Sequence, residues 1–330
     1  MTEDLKMVKK RTLKKIRRAI KYPILVFFIK LFIFLVRFIS RGFFLKICAR
    51  LGSLSFHLVR KEREKTIKNL TFIFGHEKSE GEIKEMARKV FIHQAMHFGD
   101  YVHTIHYTTR KQFSKIIDFV GEEHLKKAYK AGNGVLCLMC HVGSWEFSAI
   151  MPPVMGYETS AVSRAMPNER IDRLIVRARE RRGMKNIRRG KVYDQLLEIL
   201  KKGECMIIMI DQDTTVKGLF VDFFGKPAYT PIGAARLALD SQSPVLPMYM
   251  KRLPNNRHQF TILPPLPFVN TGDETTDLFE NTRIYNQAIE SIIRETPEQW
   301  VWMHERWKTT PESLEAFLRK KKEQKQQSGK

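Results

Sequence analysis

Acidic residues are in short supply in this chain: 35 Asp+Glu stand against 58 Lys+Arg, for a formal net charge of +23. The excess of cations favours an anionic partner, which could be nucleic acid, anionic lipid or an acidic carrier protein. Cysteine is also sparse. Cys48, Cys137, Cys140 and Cys205 all lie among apolar residues, which excludes a disulfide framework and suits buried thiols in a reducing, cytosol-facing domain. No low-complexity linker or internal repeat interrupts the chain from about Lys46 to Lys308, so a string of modules is excluded. There is no zinc knuckle, RNA-binding aromatic signature or helix-turn-helix pattern, and nucleic acid is therefore not the expected partner.

What the chain does have is apolar mass: 43% hydrophobic residues in 330, enough for one large domain or two small ones. It opens on a basic arm over residues 1–21, with Lys6, Lys9, Lys10, Arg11, Lys14, Lys15, Arg17, Arg18 and Lys21. A greasy segment over 22–41 follows, including ILVFFIKLFIFLVRFI. No small-residue cleavage site stands behind it, which argues against a cleaved signal peptide. As one helix it would be roughly 30 Å long, about the thickness of a hydrocarbon core. Lys30 in its middle costs roughly 3 kcal/mol on insertion, against a gain of roughly 0.3–0.6 for each Leu, Ile or Phe. A span is feasible. Lys30, Arg37 and Arg41 would, however, share one stripe, as an in-plane helix requires. An interfacial or re-entrant anchor on an anionic membrane surface is the favoured geometry, with the body on the cytoplasmic side of the inner membrane.

Behind the anchor, apolar runs of strand type alternate with helical patterns. Strands are expected at 134–140, 158–164, 204–211, 219–224, 245–251 and 259–263, and helices at 82–106, 122–131, 168–182, 192–201, 231–241 and 277–295. Fully apolar strands between helices indicate a sheet covered on both faces. A single α/β domain over 42–310 is expected, followed by a basic tail over 311–330 that frays or is disordered from Arg319.

The chemistry concentrates in Cys140-His141-Val142-Gly143-Ser144-Trp145-Glu146. Five residues of straight helix turn by roughly 500°, which does not bring His141 and Glu146 to one face. They meet only if His141 closes a strand and Glu146 sits in the first turn of the next helix. Gly143 permits the turn and Ser144 is a good N-cap. The helix start at Gly143, Ser144 and Trp145 would then offer unpaired N–H groups to an anion or oxyanion. In that geometry Glu146 accepts a hydrogen bond from one imidazole nitrogen. The other nitrogen takes the proton of an acceptor hydroxyl as it attacks a thioester. The plainer reading, a structural His near a Glu, competes on these residues alone.

The segment GVLCLMCHVGSWEF resembles the His-x4-Glu block of the bacterial lysophospholipid-type acyltransferases that perform late acylation in lipid A biosynthesis. Five further blocks resemble that family in order: VSRAMPN, ARERRG, MIIMIDQD, FFGKPAYTPIGAARLA and PEQWVWMHERWK. The resemblance spans roughly residues 20–310, and the order of the blocks is more specific than any one of them. Ser144 departs from it, since many members carry Asn there.

The resemblance implies a glycerophosphate-acyltransferase-like fold, with a mixed, mostly parallel sheet flanked by helices. It also implies His141 as general base with Glu146 as its partner, and a substrate-facing Arg164 able to hold a phosphate or developing oxyanion. Asp211 and Gln212 should close another strand at the same sheet edge, as substrate contacts or as caps of the turn into Thr214-Thr215. Arg306 and the three Trp of the last block read as a lock on the C-terminal turn. The implied reaction takes acyl groups from an acyl carrier protein, or from acyl-coenzyme A, to a hydroxyl of a lipid A precursor or another membrane lipid. It calls for no cofactor and no metal.

Two sharper motifs fail. Cys137-Leu138-Met139-Cys140-His141 matches the pattern for covalent haem attachment, but strand residues three apart point to opposite faces. His93, His97, His103 and His106 have a spacing that suits a metal on a helix, yet they sit in an amphipathic pattern that buries such residues more often than it uses them.

Overall fold

A computed structural model describes residues 22–328, so the basic arm over 1–21 lies outside the described residues. Helix α1 covers Tyr22–Val36. It ends earlier than the expected anchor because Val36 is buried with Phe44, Leu45, Cys48, Met96 and Val102, and a turn leads to α2 at Arg41–Leu58. The expected cationic stripe is thereby broken. Arg37 lies in the turn, while the Arg41 guanidinium turns inward to Asp100, Nε to Oδ1 at 2.6 Å. Helices α3 (Arg60–Phe74) and α4 (Glu80–His103) follow, α4 opening on a capping box between Ser79 and Glu82. Sequence patterning had assigned neither α2 nor α3. No single helix among the described residues is long and apolar enough to cross a membrane, although α2 and α3, bent by 90°, qualify as a pair.

The body is one α/β domain. A short helix α5 (Arg110–Phe113) leads to β1 (Ile117–Val120), α6 (Glu122–Lys130), β2 (Val135–Gly143), α7 (Trp145–Val154), β3 (Thr159–Ser163) and α8 (Glu169–Glu180). Then come β4 (Met184–Arg188), α9 (Tyr193–Lys201), β5 (Cys205–Met209), β6 (Gly218–Phe223), β7 (Lys226–Pro231) and α10 (Gly233–Ser241). Strands β8 (Val245–Arg252) and β9 (His258–Ile262) precede α11 (Glu274–Glu295) and α12 (Pro311–Ser328). The main sheet has seven strands in the order β1-β9-β8-β2-β5-β3-β4. Only the β8–β9 pair is antiparallel, so the sheet is mixed and mostly parallel, as expected. The run at 219–224 is a strand, but it belongs to a separate β6–β7 hairpin. The tail is helical through Ser328.

Strand β2 shows why its sequence is apolar throughout. Leu136, Leu138, Cys140 and Val142 pack into the layer formed with α3, α4, α9, α10 and α11. Val135, Cys137 and Met139 pack into the opposite layer with α6 and α7. With both faces covered, neither side of the pleat can be polar. The same alternation sends Cys137 and Cys140 to opposite layers, and all four cysteines are buried and free.

Candidate active site

Parallel pairing sets the site. Met139 of β2 is in register with Met209 of β5, so His141 and Asp211, each two residues further on, emerge side by side at the carboxyl edge of the sheet, where open α/β folds hold their ligands. His141 Nδ1 lies 2.8 Å from Asp211 Oδ1, and the His141 backbone N–H donates to Oδ2 at 2.7 Å. The Trp300 indole N–H also donates to Oδ2, at 2.8 Å. A fully buried carboxylate can only accept these bonds, which puts the ring proton on Nδ1 and leaves the Nε2 lone pair free. Asp211 is thus more than a turn cap, and Trp300 does more than lock the C-terminal turn.

The electrostatics follow. Burial of the imidazole opposes its charged form, but the Asp211 charge and hydrogen bond, helped by the Glu146 charge, outweigh it and raise the His141 pKa. Burial would likewise raise the Asp211 pKa, yet the His141 charge and the three donated hydrogen bonds hold it down at about 2. The Asp211 carboxylate therefore stays ionised throughout the physiological range.

Glu146 occupies the expected first turn of α7 but does not touch the imidazole. Arg179 of α8 holds it instead, with Nη2 at 2.5 Å and Nε at 3.2 Å from its two oxygens. The expected His141–Glu146 hydrogen bond is therefore replaced by a His141–Asp211 bond and a Glu146–Arg179 ion pair. Local spacing could not reveal this, because both true partners come from distant strands and helices.

Gly143 has φ +55°, and a Cβ there would collide with the Met250 carbonyl oxygen. Only glycine makes this turn without strain. Ser144 stands at the N-cap position, but its side chain makes no cap bond and its hydroxyl is buried without a partner. The expectation of a serine cap is corrected: its ψ of 65° is not that of a capping residue. The first N–H groups of α7 consequently lack a side-chain acceptor. Trp145 leans on His97, with centroids 3.9 Å apart, and its ring lies 5.6 Å from that of His141. Burial drives the His97 pKa down to about 3, so this ring stays neutral beside the indole.

His141 lines a cavity of about 710 Å³, together with Trp145, Glu146, Arg164 and Gln212. Much of its lining is apolar, including Leu196, Met206, Ile208, Met209 and Ile232, while Arg164, Arg179, Arg189, Lys217 and Arg236 supply cations. Arg164, just beyond β3, is exposed and has no ion-pair partner among the described residues. Apolar walls with a few convergent polar groups are what a ligand with a hydrocarbon part and an anionic part requires. Arg306, by contrast, is buried against the Tyr229 carbonyl and the Thr230 hydroxyl. It is a lock on the hairpin.

A family model described as bacterial lipid A biosynthesis acyltransferase matches residues 11–309. The chain belongs to this family. It is 27% identical to the lipid A biosynthesis acyltransferase of Haemophilus influenzae, over 82% of this chain and 84% of that protein. It is 27% identical to the lipid A biosynthesis lauroyltransferase of Escherichia coli, over 80% of this chain and 85% of that protein. A phosphatidylinositol mannoside acyltransferase of Mycobacterium tuberculosis is 28% identical over 44% of this chain and 46% of its own length. The protein is an acyltransferase: five of its six sequence blocks contribute lining residues to the one cavity, and the sixth reaches the site through the Trp300–Asp211 hydrogen bond.

Proposed function

We propose that this acyltransferase moves a fatty acyl group from an acyl carrier protein thioester to a hydroxyl of a lipid A precursor or related glycolipid. The observation that carries the reading is the Asp211–His141 pair beside a cavity lined by apolar side chains and several cations. His141 Nε2 takes the hydroxyl proton as the acceptor oxygen bonds to the thioester carbonyl carbon. The oxyanion that forms is met by the uncapped N–H groups at the start of α7, beside the Gly143–Ser144 turn, and by Arg164. The carbon–sulfur bond then breaks, and the imidazolium returns its proton to the departing thiolate. Asp211 holds the imidazole tautomer and stabilises its charged form. Glu146 fixes Arg179 at the cavity and adds negative potential at His141. Gln212 contributes a polar edge to the acceptor side.

Exposed apolar side chains on α1 and α2 support attachment to a membrane and, with it, a lipid acceptor. Phe27, Phe28, Phe32, Phe34 and Leu35 of α1 are exposed, as are Phe43, Leu51, Leu54 and Leu58 of α2. These exposed apolar side chains, with Lys46 and Arg50 exposed beside those of α2, suit helices lying in an anionic headgroup layer. On this reading the body works on the cytoplasmic side of the inner membrane, where thioester donors are made.

A second acceptor class is favoured by the Mycobacterium relative, whose name specifies a phosphatidylinositol mannoside. The test is product mass after incubation with acyl carrier protein thioester and each acceptor in turn. A lipid A precursor gaining one acyl chain supports the proposal. Acylation of the inositol lipid alone would reassign the acceptor.

A further inference from the structure

Helix α8 carries a row of cations whose one side-chain hydrogen bond among the described residues runs from Arg181 Nε to the Arg177 carbonyl, at 3.3 Å. Arg170, Arg173, Arg177 and, at its C-cap, Arg181 are all exposed. At about 100° per residue, the four fall within an arc of about 80°. The opposite face is occupied: Asp172 pairs with Arg188, and Arg179 with Glu146. None of the four stripe arginines has a carboxylate partner among the described residues, although Glu169 and Glu180 border the stripe on one flank.

This arrangement works against the helix itself. Neighbours in the stripe are three or four residues apart, so each pair repels its like. Arg170 also stands in the first turn, where the helix dipole disfavours a cation. A row of guanidinium groups kept at that cost suits an external anion. The chemistry of the row distinguishes a lipid surface from a protein. No large apolar side chain of α8 is exposed, in contrast to α1 and α2, so the stripe lacks the greasy component of an interfacial helix. It is a convex, purely cationic ridge, complementary to an acidic helix.

Its position adds the second argument. The inner face of α8 brings Arg179 into the cavity that His141 lines, so a partner seated on the outer face is separated from that cavity by one helix width, about 10 Å. We propose that the α8 arginine stripe is the docking surface for the acidic acyl carrier protein. The proposal rests on the donor reading above and names where that donor binds.

The test is steady-state acyl transfer by the full chain with an acyl carrier protein thioester, comparing wild type, R173E/R177E and R173K/R177K. The expected result for the charge reversal is a KM for the carrier raised by roughly tenfold or more, with a weaker salt dependence. Its turnover at saturating carrier, melting temperature and vesicle binding should stay at wild-type values, and the lysine pair should retain most of the affinity. An unchanged carrier KM in R173E/R177E overturns the stripe alone. So does a loss confined to turnover, or a loss of vesicle binding with carrier KM intact, which would assign the ridge to lipid. A wild type that accepts no carrier thioester overturns the donor reading, and the stripe with it.

Discussion

His141 Nδ1 lies 2.8 Å from Oδ1 of Asp211, a residue 70 positions away. The bond is made possible by β2 and β5 running parallel and in register. It fixes which imidazole nitrogen carries the proton and leaves the other to act on a substrate.

The pH dependence of the rate follows from this pair. His141 must be neutral to accept a proton, and its pKa is raised by Asp211 and Glu146 against the effect of burial. Activity should therefore rise with pH through a value above the ordinary imidazole range. In Asp211→Asn the attraction is lost, so the rising limb moves to lower pH while the plateau falls by roughly tenfold or more. A pH–rate profile of the two proteins checks this. An unmoved limb would remove Asp211 as the partner.

Glu146 acts one step further out. Glu146→Gln can still accept a hydrogen bond from Arg179 but loses the charge, so kcat should fall less than in Asp211→Asn. Measuring both variants side by side ranks the two carboxyl groups. A deeper loss in Glu146→Gln would restore the direct His–Glu contact expected from spacing alone.

Much of the site was legible in the chain. The strand that carries His141, the obligatory turn at Gly143 and the helix starting beside Glu146 all follow from residue type and order. The carboxylate partner was not, since Glu146 is near in sequence while Asp211 is near only after β2 and β5 pair. Ser144 illustrates a different gap: it has the right residue type at the right position, yet its backbone angles prevent the cap. At the fold level, apolar strands β2, β5 and β8 stood out, whereas β4, reading MKNIR at the sheet edge, carries too many polar residues to look like a strand. Helix α2 has no amphipathic pattern to mark it, because Phe43, Leu51, Leu54 and Leu58 stay exposed while Phe44, Leu45, Cys48 and Phe56 are buried.

The buried Asp100 should matter for stability. It accepts from Arg41 and Arg252 at 2.6 Å each and meets His258 Nε2 at 2.9 Å, tying α2 and α4 to the β8–β9 hairpin. Asp100→Ala leaves the buried Arg252 without its counter-charge, and a loss of about 3–5 kcal/mol is expected. Chemical denaturation would reveal it. A change below about 1 kcal/mol would mean that water or another group replaces the carboxylate.

Membrane attachment is predicted to depend on α2 as well as α1. Leu51→Glu, Leu54→Glu and Leu58→Glu together remove an exposed apolar row, so they should spare the melting temperature while weakening binding to anionic vesicles by roughly tenfold or more. Cosedimentation measures it. Full binding by the triple variant would leave attachment to α1 and the segment before it.

The central claim is acyl transfer with His141 as the base. It is tested most directly by incubating wild type and His141→Ala with an acyl carrier protein thioester and a lipid A precursor, and following the acylated product by mass. The account predicts product from wild type and a rate lower by roughly 10²–10⁴-fold in His141→Ala, with fold and vesicle binding retained. Transfer by His141→Ala at the wild-type rate would contradict it.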